Sequence, residues 1–450
     1  MKSESMETPH GLTGDWWQRP GIGIMYQIEH RPGWRWMRNF NKFNSSMMDR
    51  KGNFKFNGPY CKISDWVELS GKVGADYHIF ESKWHDGIAW FSTSLTEWKS
   101  PADYAKEFAE LSKKAGIPFM FYYSAAVDHN PQFQKLIPLN IITPSFPKMG
   151  KNNVYKNYLE GQMRELTDQY HPDGLWFDWY LNGFHPSEIV VSEFLRKYSP
   201  DTVFTFNHTN AFKAGYRHVF STNLPALLTL GFIHHLLFEK KPRNRGALDL
   251  VHYTTFEAHT IKAAWKRANV YRRFDRLWEL AGPAGNAWDN MKLRDDPSDL
   301  LRIAAMVMAN GGRYVVGAAA QMDGSIYPDH VKQLELLGEW YKPRKEIFRE
   351  AVPMKYNGMV PGIHGYSKRV RTSASLLKSD YLIHLFNTVA KSDITLRFDK
   401  KFWPRVDGAY VEPQHERVQT EDLRTEIRIT IPVKHLDLVD TILRIAVEHQ

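Results

Sequence analysis

The chain of 450 residues has one cysteine, Cys61, which excludes an internal disulfide framework and any cysteine-based metal cluster. No apolar run approaches the ~20 residues that cross a bilayer as a helix. The opening, MKSESMETPHG, lacks the apolar stretch of a signal peptide. The expectation is a soluble protein without a membrane partner, cytoplasmic, or periplasmic or secreted if an export signal preceded this numbering. Low-complexity tracts and repeats are missing too. The basic excess is small: 59 Lys and Arg against 50 Asp and Glu give +9. With no basic block, that charge is too diffuse for a nucleic-acid footprint. No spacing of the H-E-x-x-H kind occurs, so neither a metal nor a cofactor is expected.

Aromatic surface is abundant, with 15 Trp and 14% Phe, Trp and Tyr. That suits a large core, and equally suits stacking on sugar rings.

Short β-type runs alternate with helical stretches for about 320 residues. The candidate strands are Gly23–Gln27, Asp76–Glu81, Pro118–Ser124, Gly174–Asp178, Thr202–Asn207, Leu250–Glu257, Leu277–Leu280 and Arg313–Val316. Helical patterns lie between them over Pro101–Ala115, Tyr155–Tyr170 and Leu300–Asn310. The first and last of these are followed by Gly116 and Gly311, the glycine punctuation that ends a helix before a strand. Eight such units predict an α/β fold, a (β/α)8 TIM-like barrel, over residues 1–350. From about Val352 the pattern turns to short β runs without helices, at Ser375–Leu377, Tyr381–Phe386, Ile394–Phe398 and Thr425–Ile431. These predict a small C-terminal antiparallel β-sandwich over residues 351–450.

Asp178 ends the apolar run Gly-Leu-Trp-Phe-Asp (174–178). An apolar run opened by Gly and closed by a charge reads as a buried parallel strand. A carboxylate at the C-terminal lip of a barrel strand is costly to bury and lies where barrel enzymes do their chemistry. A helix cap or an arginine partner would explain the position equally well. Glu257 ends a second β-rich run, Val-His-Tyr-Thr-Thr-Phe-Glu (251–257), and alone would read as a solvated loop residue. Two carboxylates on different strand ends are what glycoside hydrolysis requires, one attacking the anomeric carbon and the other protonating the leaving oxygen. A third strand end carries Trp84, His85 and Asp86. There an imidazole can hydrogen-bond sugar hydroxyls and an indole can stack on a ring. A lone histidine is more often structural, but the clustering weakens that reading.

Together these segments resemble the α-L-fucosidases of glycoside hydrolase family 29, in order and over most of the chain. Gly21–Gln27 resembles the family's first strand. Gly74–Gly87 resembles its GAKY…KHHDGF segment, with Lys83, His85, Asp86 and Gly87 retained. Phe121-Tyr122-Tyr123-Ser124 resembles its LYYS strand, and Trp176-Phe177-Asp178 its nucleophile strand. Thr254–Glu257 resembles the TPE segment that carries the acid/base, and Trp278-Glu279 the WE that follows. Gly311-Gly312-Arg313 with Asp323–Ile326 resembles the GGN…DGxI region.

The resemblance implies a retaining hydrolase with Asp178 as nucleophile and Glu257 as acid/base, Glu279 being the next candidate. It implies substrate contacts from Gln27, Arg35, Trp36, Trp84, His85, Tyr123, His208, Arg245 and Trp278. Several of these depart from the family: Gln27 and Trp84 replace sugar-binding histidines, Arg35 replaces an acid, and Asn207-His208-Thr209 replaces NDR. Arg245 is a substitute for the missing arginine. The stretch at 210–248 reads as an insertion over the mouth or at a subunit contact of a homo-oligomer.

The expected activity is exo-hydrolysis of a terminal α-L-fucose or a relative such as L-galactose, with Arg35 and the net charge pointing to a sulfated or otherwise anionic glycan. The alternatives are an endo-acting enzyme on a fucose-rich polysaccharide, a non-catalytic carbohydrate-binding barrel, and a metal-dependent hydrolase built on His85-Asp86 or His234-His235. An oligosaccharide or polysaccharide is the expected partner.

Overall fold

The computed structural model describes residues 16–28, 47–49, 51–55, 57–125, 128–133, 153–178, 186–207, 251–272, 277–285, 288, 294, 296–356, 360–365, 370–386, 392–403 and 406–447. Eight parallel strands form one sheet: β1 (Gly21–Gln27), β2 (Tyr77–Lys83), β3 (Phe119–Ser124), β4 (Gly174–Asp178), β5 (Val203–Phe206), β6 (Thr254–Glu257), β7 (Trp278–Pro283) and β8 (Arg313–Ala319). The order β5-β4-β3-β2-β1-β8-β7-β6 leaves β5 and β6 as ends, and a parallel bridge from Asn207 to Thr255 brings them together. The result is a nearly closed barrel.

Around it lie α1 (Ile63–Val73), α2 (Tyr104–Ala115), α3 (Asn153–Tyr170), α4 (Pro186–Tyr198), α5 (Ile261–Tyr271), α6 (Ser298–Met308) and α7 (Pro328–Tyr341), with α8 (Lys345–Glu350) following. The local signals explain their ends. The Asp103 side chain accepts from the Lys106 N–H at the start of α2, and Gly116 closes it at φ 66°. That left-handed conformation suits glycine.

Every barrel strand is buried along its length, as expected for a parallel sheet covered on both faces. Alternate residues part into two layers. Leu175, Phe177, Phe204 and Phe256 face the helices. Met25, Tyr77, Ile79, Met120, Tyr122, Trp176 and Tyr253 fill the interior. Near the N-terminal end of the interior, Arg313 sits over the Trp16, Tyr77 and Tyr253 rings and donates to the Trp17 carbonyl at 3.1 Å. The short 3-10 turn Trp16–Gln18 thus covers the end opposite the strand lips.

Beyond α8, all strands pair antiparallel, in two sheets. They are β9 (Val352–Pro353), β10 (Ile363–His364), β11 (Arg371–Leu377), β12 (Asp380–Phe386), β13 (Ile394–Asp399), β14 (Val406–Glu412), β15 (Glu416–Arg417), β16 (Gln419–Asp422), β17 (Glu426–Ile431) and β18 (Asp440–Val447). The four anticipated runs correspond to β11, β12, β13 and β17, while β14 and β18 are additional. Ile383, Leu385, Leu443 and Ile445 pack against Leu396, Phe398, Ile427 and Ile429 between the sheets. The opposite face of β12 lies on the barrel, where Phe386 meets Trp265 of α5 at 6.0 Å. Among the described residues no helix is long and apolar enough to cross a membrane.

Candidate active site

Alternation along β4 puts Leu175 and Phe177 toward the helices and Trp176 into the barrel, so Asp178 emerges at the lip facing inward. It is 9% exposed. The Tyr122 hydroxyl donates to Asp178 Oδ2 at 2.6 Å, and His85 Nε2 lies 3.4 Å from the same oxygen. The Asn207 amide donates to Oδ1 at 2.8 Å. Burial pushes the Asp178 carboxyl up, but His85, Tyr122 and Asn207 together outweigh it and hold the group below the usual aspartate range. This carboxylate is therefore built to stay ionised.

On β6, Thr255 faces the interior and Phe256 packs outward on Tyr271 at 4.7 Å. Glu257 consequently points inward at the lip, 8% exposed. The same Asn207 nitrogen donates to Glu257 Oε1 at 2.7 Å. The nearest oxygens of Asp178 and Glu257 are thus no farther apart than the sum of the two hydrogen bonds, about 5.5 Å, on the scale of retaining carboxylate pairs, ~5–5.5 Å. On the other side, His259 Nε2 lies 3.7 Å from Glu257 Oε2.

The turn after β2 brings His85 to this pair. Its Nδ1 hydrogen-bonds Ser124 Oγ at 2.7 Å, which orients the ring with Nε2 toward Asp178. Trp84 is buried in the barrel-interior cluster with its ring 4.7 Å from that of His85. Gln27 closes β1, buried, in register with Ala319 of β8.

Glu279 is a different kind of carboxylate. It pairs in register with Thr255, two residues before Glu257, so it lies roughly 6–7 Å deeper along the strands. Fully buried, its Oε1 accepts from Trp176 Nε1 at 2.9 Å and Thr255 Oγ1 at 3.0 Å. Its Oε2 accepts from Tyr77 and faces Arg313 at 3.7 Å. This environment ties Glu279 into the barrel interior rather than the mouth.

Two expected contacts point elsewhere. Tyr123 faces α3, its hydroxyl donating to Gln162 Oε1 at 2.6 Å, whereas its neighbour Tyr122 reaches Asp178. Trp278 opens β7 and packs on Tyr271 at 5.8 Å in the helix-facing layer, its Nε1 donating to the Asn310 carbonyl. Arg35, Trp36, His208, Arg245 and the 210–248 stretch lie outside the described residues. Tyr122, Ser124 and Asn207, named in the sequence only as parts of the LYYS-like and NDR-like motifs, join the site as contacts, and so does His259, which no motif includes. Strand parity from Trp176 would have pointed to Tyr122, but nothing local distinguishes His259.

The model of the alpha-L-fucosidase family matches residues 30–346. Among solved structures, the Thermotoga maritima alpha-fucosidase superposes with a TM-score of 0.64 at 17% identity, covering 96% of each chain. Isoenzyme 1 from Paenibacillus thiaminolyticus gives 0.64 at 15% identity over 97% of this chain and 99% of that one. A Bacteroides thetaiotaomicron GH29 alpha-L-fucosidase, solved as a trapped covalent intermediate, gives 0.64 at 13% identity over 100% and 98%. No curated protein matches by sequence. With the family model running from just after β1 into α8 and so covering β2 to β8, this chain belongs to the alpha-L-fucosidase family of glycoside hydrolases.

Proposed function

We propose that the chain is a retaining, exo-acting hydrolase that removes a terminal α-L-fucose, or a close relative such as L-galactose, by double displacement. The observation that carries this reading is the Asn207 amide shared between Asp178 and Glu257, which keeps the two carboxylates at the short spacing that leaves no room for an intervening water.

In the first step an Asp178 oxygen attacks the anomeric carbon while Glu257 gives its proton to the leaving glycosidic oxygen. Glu257 Oε1 accepts from Asn207, so the proton to be donated sits on Oε2. The products are a glycosyl ester on Asp178 and the departed alcohol. In the second step the Glu257 carboxylate takes a proton from water as that water attacks the same carbon, and the ester bond breaks back to the Asp178 carboxylate. Two inversions give net retention. The relative trapped as a covalent intermediate supports the same course here.

The sugar itself is set by what surrounds this pair. Gln27 and Trp84 stand where family members carry histidines, which favours a ring whose substituents differ from those of fucose. The test is product analysis over time on α-L-fucosyl, α-L-galactosyl and sulfated algal glycans, with Asp178→Asn as control. The expected product is one monosaccharide that vanishes in the variant. Oligosaccharide products would instead mark an endo-acting enzyme, and unchanged hydrolysis by Asp178→Asn would remove Asp178 from the chemistry.

A further inference from the structure

A buried ion pair lies directly behind the site and takes no part in the chemistry proposed above. Lys83 Nζ is 2.5 Å from Asp128 Oδ2, and both side chains are fully buried. The ammonium sits over the Tyr123 ring at 4.2 Å and the Tyr158 ring at 5.1 Å. Burial pushes the Lys83 ammonium down, while Asp128 and then Asp86 oppose that shift. Taking both charges out of water is costly, and a neutral pair of similar shape can be as stable. What the pair adds is a fixed relation between two chain segments.

Those segments are the turn after β2 and the loop after β3. The register of β2 on β3 shifts between Glu81 and Lys83, an irregularity of the kind that re-aims a side chain next to a site. Here Lys83 is sent outward to α3, while Trp84 returns to the barrel interior. Asp128 Oδ1 accepts from the Asn130 N–H at 2.8 Å. The His129 N–H donates to the His85 carbonyl at 2.9 Å, a second tie between the same segments. Gly87, at φ 82°, makes the close approach possible, since a Cβ there would lie 2.2 Å from Asp128 Oδ1. The clamped turn carries His85, whose ring spans Ser124 and Asp178.

We infer that the Lys83–Asp128 pair is a positioning device that holds the turn after β2 so that His85 stays aimed at Asp178. Its catalytic consequence rests on Asp178 being the nucleophile. Asp178 is faced by His85 from β2, Tyr122 from β3 and, through Asn207, by Glu257 of β6 with His259 beyond it. His85 lies on the clamped turn itself, and Tyr122 lies on the strand whose following loop carries Asp128.

The test is the double variant Lys83→Met/Asp128→Asn in the full chain, which removes both charges and keeps the shapes. One readout needs no substrate: the downfield imidazole N–H proton signal of His85, assigned by its loss in His85→Gln. The expected result is a folded variant, judged by an unchanged far-UV spectrum and cooperative melting, in which that signal broadens or disappears through faster exchange. On 4-nitrophenyl α-L-fucoside, kcat falls about tenfold with KM little changed, and the acid limb of kcat/KM moves to higher pH. Should the double variant fail to fold, Gly87→Ala keeps both charges, pushes on Asp128, and must move the same signal and limb. A folded variant with a wild-type His85 signal and acid limb overturns the positioning role. Asp178→Asn, measured alongside, reports separately on the nucleophile: its full activity removes that reading, while the His85 signal still judges the clamp.

Discussion

Asp178 and Glu257 share one hydrogen-bond donor: a single Asn207 nitrogen reaches Oδ1 of the first at 2.8 Å and Oε1 of the second at 2.7 Å. An amide nitrogen carries two hydrogens and can serve both oxygens at once. Asn207 follows β5, whose end meets β6 through the bridge to Thr255, so the closure of the barrel and the spacing of the carboxylates depend on the same residue.

Removing that donor leaves two buried acidic groups facing each other. A hydrogen bond to a charged group contributes about 1.5–3 kcal/mol, so Asn207→Ala is expected to lower kcat/KM by about tenfold to a hundredfold. Asn207→Asp, which adds a third carboxylate, is expected to be worse. Steady-state kinetics on a cleaved fucoside checks both, and an Asn207→Ala enzyme with wild-type kcat/KM would show that the bridge is idle.

The pH profile follows from the same contacts. Burial raises the Asp178 carboxyl, and His85, Tyr122 and Asn207 more than reverse it, so its folded pKa lies below the unfolded one. A depressed carboxylate contributes stability that is present above the unfolded value, about 3.9, and lost as pH falls through the folded value. In kcat/KM the acid limb set by Asp178 should accordingly lie below that of an ordinary aspartate. Tyr122→Phe removes the 2.6 Å hydrogen bond and should move this limb to higher pH. A limb that stays in place would mean that another group sets it.

Glu257 and Glu279 are separated by what their loss should do. Glu257→Ala removes the proposed proton donor at the mouth and should reduce kcat by about 10²–10⁴ on natural leaving groups. It should do far less on aryl glycosides, whose leaving groups need no proton. Glu279→Ala instead leaves the Arg313 guanidinium buried without its carboxylate, a loss of about 3–5 kcal/mol in stability. Thermal and urea unfolding should record that loss. A stable Glu279→Ala protein with the leaving-group dependence expected of Glu257→Ala would reverse the two roles.

How far the sequence could be read depended on what each residue's neighbours decide. The run Gly174–Asp178 has the same bounds in the structure, because a doubly covered parallel strand is apolar throughout and stops at its charge. The other barrel strands were legible for the same reason, whereas the succeeding antiparallel strands showed as short β runs with no helices between them, half-buried by alternation in β13 and β17. The sixth strand was expected from Leu250 but begins at Thr254, since apolar composition at 250–253 does not distinguish a strand from the bends at Val251–Tyr253 that lead into it. β14 was missed where Gly408 and a register shift interrupt the run. At the site, Tyr123 was expected at the sugar where Tyr122 meets Asp178. One residue along a strand exchanges the faces of the sheet, and composition alone does not fix that parity. Trp278 precedes Glu279 in sequence but faces the helices, for the same geometric reason. The Lys83–Asp128 tie joins residues 45 apart, a distance across which local pattern carries no signal.

The most direct measurement is the anomeric configuration of the sugar at the moment of release, followed by ¹H NMR for the wild type beside Asp178→Asn. The expected result is that the α-anomer appears first and mutarotates afterwards, and that Asp178→Asn releases almost nothing. First release of the β-anomer, or undiminished release by Asp178→Asn, would contradict a double displacement through Asp178.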